Sequence, residues 1–114
     1  MKLAMAQTVV STDISANGAA IRAMIANAAA QGARLVGFCE GALSGYAKLQ
    51  IGSPAEYWDF GWAAQEAELR SIAALCHELG IFAVVGGAHR LPAGRPPHNS
   101  LYIISDSRIL ANEI

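Results

Sequence analysis

The chain has 114 residues and a formal net charge of -1; 54% of it is hydrophobic, only 15% is charged, and its mean hydropathy is +0.32. That is room for one small domain, yet soluble domains usually run at roughly 45–50% apolar and about 25% charged, and one this small hides only about two-thirds of its unfolded surface, so the apolar excess points to an oligomer or to a piece of something larger. No basic run offers a surface for nucleic acid, and no stretch nears the roughly 20 apolar residues of a membrane span.

Leu3 to Val10 reads as a first strand. Its apolar run breaks at Gln7 and is too short for a signal-peptide core. Asp13 is placed to cap a helix running to about Ala30, because its carboxylate can accept the free N–H groups of the first turn. Ile21, Met24, Ile25 and Ala28 follow the i, i+3, i+4, i+7 rule and form the buried face of that helix. Gly18 weakens its early turns, and Gly32 is a natural left-handed stop.

Leu35 to Phe38 reads as a second strand that ends at Cys39-Glu40. A loop follows from Gly41 to about Trp62. It holds Tyr46, Tyr57, Trp58, Phe60 and Trp62, enough aromatic surface to expect a packed loop, with a substrate lid as the alternative. A second helix is expected over Ala63 to Leu79, with Leu69, Ile72, Ala73, Cys76 and Leu79 on one face and Gly80 as its end. Ile81 to Val85 is a third strand, Arg90 to His98 a connecting loop, and Leu101 to Ile104 a fourth strand. Asp106-Ser107 marks a turn, and Arg108-Ile109-Leu110 opens a further run. The order β-α-β-α-β-β predicts an α/β sheet. Right-handed crossovers place both helices on one side if the sheet grows in one direction. The other face then needs a cover that no further helix in this chain supplies.

The chemistry-bearing segment is Gly32-Ala33-Arg34-Leu35-Val36-Gly37-Phe38-Cys39-Glu40-Gly41-Ala42-Leu43-Ser44-Gly45-Tyr46. An apolar strand delivers a carboxylate to its C-terminal end, the edge where open α/β sheets bind ligands. Alternation puts Glu40 on the face of Val36 and Phe38. A carboxylate held against apolar neighbours suits general-base work, because desolvation raises its proton affinity. From the pattern alone, a strand-end glutamate that simply meets solvent is an equal alternative.

An apolar strand followed by Glu-x-x-x-Ser/Thr-Gly-Tyr resembles the glutamate motif of the carbon–nitrogen hydrolase (nitrilase) superfamily. Lys2-Leu3-Ala4-Met5-Ala6-Gln7 is similar to that family's first strand. Asp13, Asn17, Ala29 and Gly32-Ala33 resemble its first helix and the turn after it. His77-Glu78-Leu79-Gly80-Ile81 through Gly86-Gly87 resembles the second helix and third strand, and Asn99-Ser100-Leu101-Tyr102 the start of the fourth. Together these span nearly the whole chain in order. The resemblance implies an α-β-β-α sandwich, paired as homo-oligomers through its outer helices. It implies hydrolysis of amide, carbamoyl or nitrile substrates by a Glu-Lys-Cys set, amide or carbamoyl before nitrile, with no metal or organic cofactor. By motif position Glu40 matches the catalytic glutamate, and Tyr46 the tyrosine that lines the substrate pocket.

The rest of that set has no counterpart here. No lysine follows Lys48, and the last cysteine is Cys76, in the middle of a predicted helix. The family's glycine after the fourth strand is missing between Asp106 and Arg108, and Cys39 stands where the family commonly has proline. A premature stop, a frameshifted reading or a trimmed chain would each give this pattern. The expectation is the N-terminal portion of one carbon–nitrogen hydrolase domain over residues 1–114, inactive alone. The alternative is a non-catalytic α/β interaction module or degenerate family member, and a weaker one is a flavodoxin-like nucleotide binder.

As a substitute nucleophile, Cys39 is turned from Glu40 by alternation, and a buried apolar thiol is the usual fate of a free cysteine. Lys48 as a substitute oxyanion holder competes with the ordinary solvated lysine. His77 reads as a helix-surface residue and His89 as a strand-end histidine; with His98 they show no metal spacing with either cysteine. Gly86-Gly87 is no dinucleotide fingerprint. Two cysteines without framework spacing fit a reducing compartment, so the expected setting is cytoplasmic.

Overall fold

The computed structural model describes residues 1–46, 61–92, 95–105 and 109–113. They form β1 (Lys2–Ala6), α1 (Ile14–Ala30), β2 (Ala33–Phe38), α2 (Trp62–Leu79), β3 (Phe82–His89), β4 (His98–Ile104) and β5 (Ile109–Glu113). The five strands make one sheet in sequential order. β1, β2 and β3 are parallel, and β4 and β5 add as antiparallel hairpins. The predicted order β-α-β-α-β-β is present, with β5 as a formed last strand.

Local signals account for the helix ends. The Asp13 side chain accepts the N–H of Ala16 at 3.0 Å, the cap that orphan first-turn donors require. Gly80 closes α2 in the left-handed conformation, as expected. The two helices pack against each other, and the Arg22 guanidinium on α1 pairs with the Glu68 carboxylate on α2. Glu68 lies directly over Gly18, so that buried glycine marks a close helix–helix approach where the sequence showed only a weak turn.

Register divides the sheet into two faces. Ala4, Val36 and Ala83 are neighbours across β1, β2 and β3, and Val85 pairs with Tyr102 and Ala83 with Ile104. This face meets α1 and α2 through the fully buried Ile21, Ile25 and Ile72. Each such side chain contributes roughly 1.5–3 kcal/mol through removal from water. The opposite face runs through Leu3, Leu35 and Phe82, then Val84 opposite Ile103 and Ala88 opposite Asn99. It is open along β1 and the start of β3, where Leu3 is 58% exposed, Met5 85% and Phe82 48%, whereas Ala88 at the far end is fully buried. Among the described residues no helix covers this end of the face, as expected, and its exposed side chains are apolar.

Several predicted boundaries move. The first strand stops at Ala6 rather than Val10, because no neighbour pairs beyond the Ala6–Phe38 rung. The third strand runs on past Val85 to His89 and the fourth starts early, at His98, because these two residues close the β3–β4 ladder. Leu79, expected on the buried face of α2, is 39% exposed in the last turn. The turn at Asp106-Ser107 and the loop aromatics Tyr57, Trp58 and Phe60 lie outside the described residues.

Candidate active site

The segment that carries Glu40 continues along the edge of β3 where β2 leaves off. β2 pairs with β3 through Gly37 and Val84 and ends at Phe38. The Leu43 N–H then donates to the Gly86 carbonyl at 2.9 Å, and the Ala88 N–H donates to Ser44 Oγ at 2.8 Å. The Ser44 hydroxyl donates in turn to the Gly45 carbonyl at 2.8 Å. Two glycines make the tight path possible. Gly41 and Gly45 have φ of 69° and 79°, the left-handed region that side chains with a Cβ avoid. Residues 41–45 are all buried; most of the aromatic loop read as packed lies outside the described residues.

The site is braced from both sides. On β3, a Cβ at Gly86 would stand 2.4 Å from the Cys39 carbonyl oxygen and 2.7 Å from the Gly41 nitrogen. On α1, buried Asn17 donates from Nδ2 to the carbonyls of Leu43 and Ser11, both at 2.7 Å, and its Oδ1 accepts from the Ser11 hydroxyl at 2.8 Å. A buried carboxamide with this many partners is satisfied, and it ties the helix to the loop behind Glu40.

Glu40 itself is exposed, between half-buried Cys39 and buried Gly41. Its Oε1 accepts from Asn99 Nδ2 at 3.0 Å. This corrects the reading that put it with Val36 and Phe38, against apolar neighbours. Those two side chains are buried on the helix side, whereas Asn99 lies on the open face by its register with Ala88. The strand ends before Glu40, so alternation no longer sets its direction. A polar amide and solvent surround the carboxylate in this chain.

Cys39 reaches the other way. Its Sγ lies 4.0 Å from Thr8 Oγ1, beyond the end of β1, and β1 lies on one side of β2 while β4 lies on the other, beyond β3. Cys76 is fully buried on α2, and burial pushes its thiol up to about 11. Tyr46 follows Gly45 and is half-buried. Lys48 lies outside the described residues. His77 is exposed on α2. Among the described residues no three His, Cys, Asp or Glu side chains gather as a metal site, and no helix is long and apolar enough to cross a membrane.

Behind the loop, on the helix side of the sheet, lies a polar cluster that sequence reading missed. The Tyr102 hydroxyl donates to the Ala88 carbonyl at 2.7 Å, Gln65 Nε2 donates to the same oxygen at 2.7 Å, and His89 Nδ1 lies 3.2 Å from the Tyr102 hydroxyl. Ala88 thus has its N–H held by Ser44 and its carbonyl by two side chains. Burial pushes the Tyr102 phenol up to about 12, against the lowering effect of the Gln65 hydrogen bond. A glutamine in a helix and a tyrosine in a strand, 37 residues apart, give no local signal that they meet.

A sequence model described as carbon-nitrogen hydrolase matches residues 2–113. No protein with a curated description matches the chain. Among solved structures, the C. elegans NitFhit protein is similar at 21% identity with a TM-score of 0.79, over 97% of this chain and 27% of that one. A C145A mutant of the Nesterenkonia AN1 amidase from the nitrilase superfamily is similar at 19% identity and a TM-score of 0.70, over 97% and 41%. A glutamine-dependent NAD(+) synthetase from Cytophaga hutchinsonii is similar at 18% identity and a TM-score of 0.69, over 96% and 19%. The fold is shared with all three, and the chain spans less than half the length of each.

Proposed function

This chain belongs to the carbon–nitrogen hydrolase family, and from that premise we propose that it supplies the glutamate of a site hydrolysing amide or carbamoyl groups of small molecules. Residues 1–114 act as the N-terminal portion of a single hydrolase domain. The supporting observation is the placement of Glu40. A buried, doubly braced loop holds it at the C-terminal edge of the parallel strands, with its carboxylate open on the uncovered face.

In the complete site a cysteine thiolate adds to the carbonyl carbon, and the carbon–nitrogen bond breaks as a thioester forms. Glu40 in its acid form gives a proton to the departing nitrogen. As a carboxylate it then takes one from the water that attacks the thioester; the carbon–sulfur bond breaks, the carboxylic acid leaves, and the thiolate and protonated Glu40 are restored. A lysine ammonium holds the oxyanion in both steps. Tyr46, next to the loop, lines the substrate pocket. The domain works as a homo-oligomer in the cytoplasm, without metal or organic cofactor and without nucleic-acid or membrane partners.

The chain by itself has neither the lysine nor the nucleophile, and we expect no thiol-dependent amide turnover from it. Turnover that disappears in both Glu40→Ala and Cys39→Ser would overturn this. The family reading is tested by translating the coding sequence past the Ile114 codon in all three frames. A strand-end cysteine and an oxyanion-holding lysine should appear there. The longer protein should release ammonia from small amides or N-carbamoyl compounds, and Glu40→Gln should abolish it.

The open apolar face favours one second reading, a non-catalytic interaction module that binds a partner through Leu3, Met5 and Phe82. Light scattering separates the two from a self-sufficient domain. A well-behaved folded monomer would count against both.

A further inference from the structure

We propose that Asn99 is the positioning residue of Glu40, a role that rests on the assignment of Glu40 as the proton relay. The argument starts from an imbalance in the Asn99 carboxamide. Its Nδ2 donates to Glu40 Oε1 at 3.0 Å. Its Oδ1 is buried and, among the described residues, accepts nothing. Rotating the amide would set Oδ1 against the carboxylate, so chemistry fixes the orientation: the amino group faces Glu40.

A buried acceptor without a partner opposes folding. Asn99 also occupies a strand position, where a β-branched side chain is ordinarily the better choice. Among the described residues, no sheet neighbour hydrogen-bonds its side chain. The register places it opposite Ala88 on the open face, where an apolar residue would continue the run of Leu101 and Ile103. Among the described residues, the one side-chain hydrogen bond it makes is to Glu40, 59 residues earlier in the chain. The position therefore serves Glu40 rather than the sheet.

The contact has a defined consequence. With Oε1 occupied by an N–H donor that does not titrate, the carboxylate has one oxygen held and the other available for proton transfer. An exposed glutamate otherwise samples several rotamers, and proton transfer is effective only from a held geometry. Asn99 supplies that hold from a strand, the rigid kind of element that keeps a site in place.

The test uses the chain as it is, with NMR side-chain couplings of Glu40 and a thermal melt on the native protein and on Asn99→Val and Asn99→Asp. Expected are a single dominant Glu40 χ1 rotamer in the native chain and averaged couplings in both variants, with Asn99→Val melting no lower than native. The proposal is overturned by a Glu40 already averaged in the native chain. It is equally overturned by a Glu40 that stays ordered in Asn99→Val, or by Asn99→Val melting lower by more than roughly 5 °C, the mark of a structural residue. No turnover is involved, so this outcome is separate from the ammonia-release assay that decides whether Glu40 is the proton relay.

Discussion

The Ser44 hydroxyl accepts the amide N–H of Ala88 at 2.8 Å, across 44 residues of sequence, and donates its own hydrogen bond to the Gly45 carbonyl. A single side chain thus replaces the backbone rung that β2 would have formed had it not ended. It explains why a hydroxyl residue followed by glycine stands after the glutamate. Ser44→Ala leaves a buried N–H and a buried carbonyl without partners, so we expect a loss of about 1–3 kcal/mol, while Ser44→Thr keeps the hydroxyl and loses less. Urea denaturation midpoints at constant m-value measure both.

Gly86 and Gly80 make a matched pair. A Cβ at Gly80 meets nothing within 4 Å, so Gly80→Ala costs only the left-handed backbone, about 1–2 kcal/mol. A Cβ at Gly86 runs into the backbone of Cys39 and Gly41, and backbone yields at greater cost. Gly86→Ala should reach about 3 kcal/mol, the upper end of ordinary overpacking. It should also shift the Glu40 and Gly41 amide resonances, which Gly80→Ala leaves in place. Equal costs for the two would contradict the close approach at Gly86.

The two thiols should differ in reactivity. Cys76 is fully buried and its thiol is pushed up to about 11, whereas Cys39 is half-buried at the loop. The thiolate is the reacting form. Native chain treated with iodoacetamide at pH 8 should take up one label, at Cys39, with Cys76 labelled only after denaturation. Peptide mass mapping reads the order, and early labelling of Cys76 would contradict the burial of α2.

Alkaline pH should loosen the fold in a defined window. Both Cys76 and Tyr102 have folded values raised above their ordinary 9.0 and 10.0, to about 11 and about 12. The unfolded chain therefore gives up these protons first, and stability falls as pH rises. It is fully present below about pH 9 and is lost progressively through 11 and 12. Urea midpoints at pH 8, 10 and 11 should decline, and Tyr102→Phe should flatten the upper part of that decline.

Much of this was legible in the sequence because the signals are local. Asp13 capping α1, the apolar periodicity of Ile21, Ile25 and Ala28, and Gly80 ending α2 each act within a few residues. The family resemblance added order along the chain and pointed to Glu40. The direction of Glu40 was not legible, because it depends on where β2 stops, and that is set by pairing with β3. Asn99, Gln65 and Tyr102 were missed as members of the site region for the same reason: each meets partners brought together only by the sheet. The half-satisfied Asn99 amide in particular has no sequence signature: the resemblance placed Asn99 at the start of the fourth strand and gave it no part in the site.

The dependence of the Glu40 loop on β3 and β4 also sets an order of assembly. Leu43, Ser44 and Glu40 find their partners at Gly86, Ala88 and Asn99, all at least 40 residues downstream. While the chain is being synthesised, β1, α1 and β2 can emerge and meet, but the glutamate remains unplaced until Asn99 has left the ribosome and the β3–β4 hairpin has closed. A nascent chain stalled before that point would carry the motif intact in sequence and absent in space.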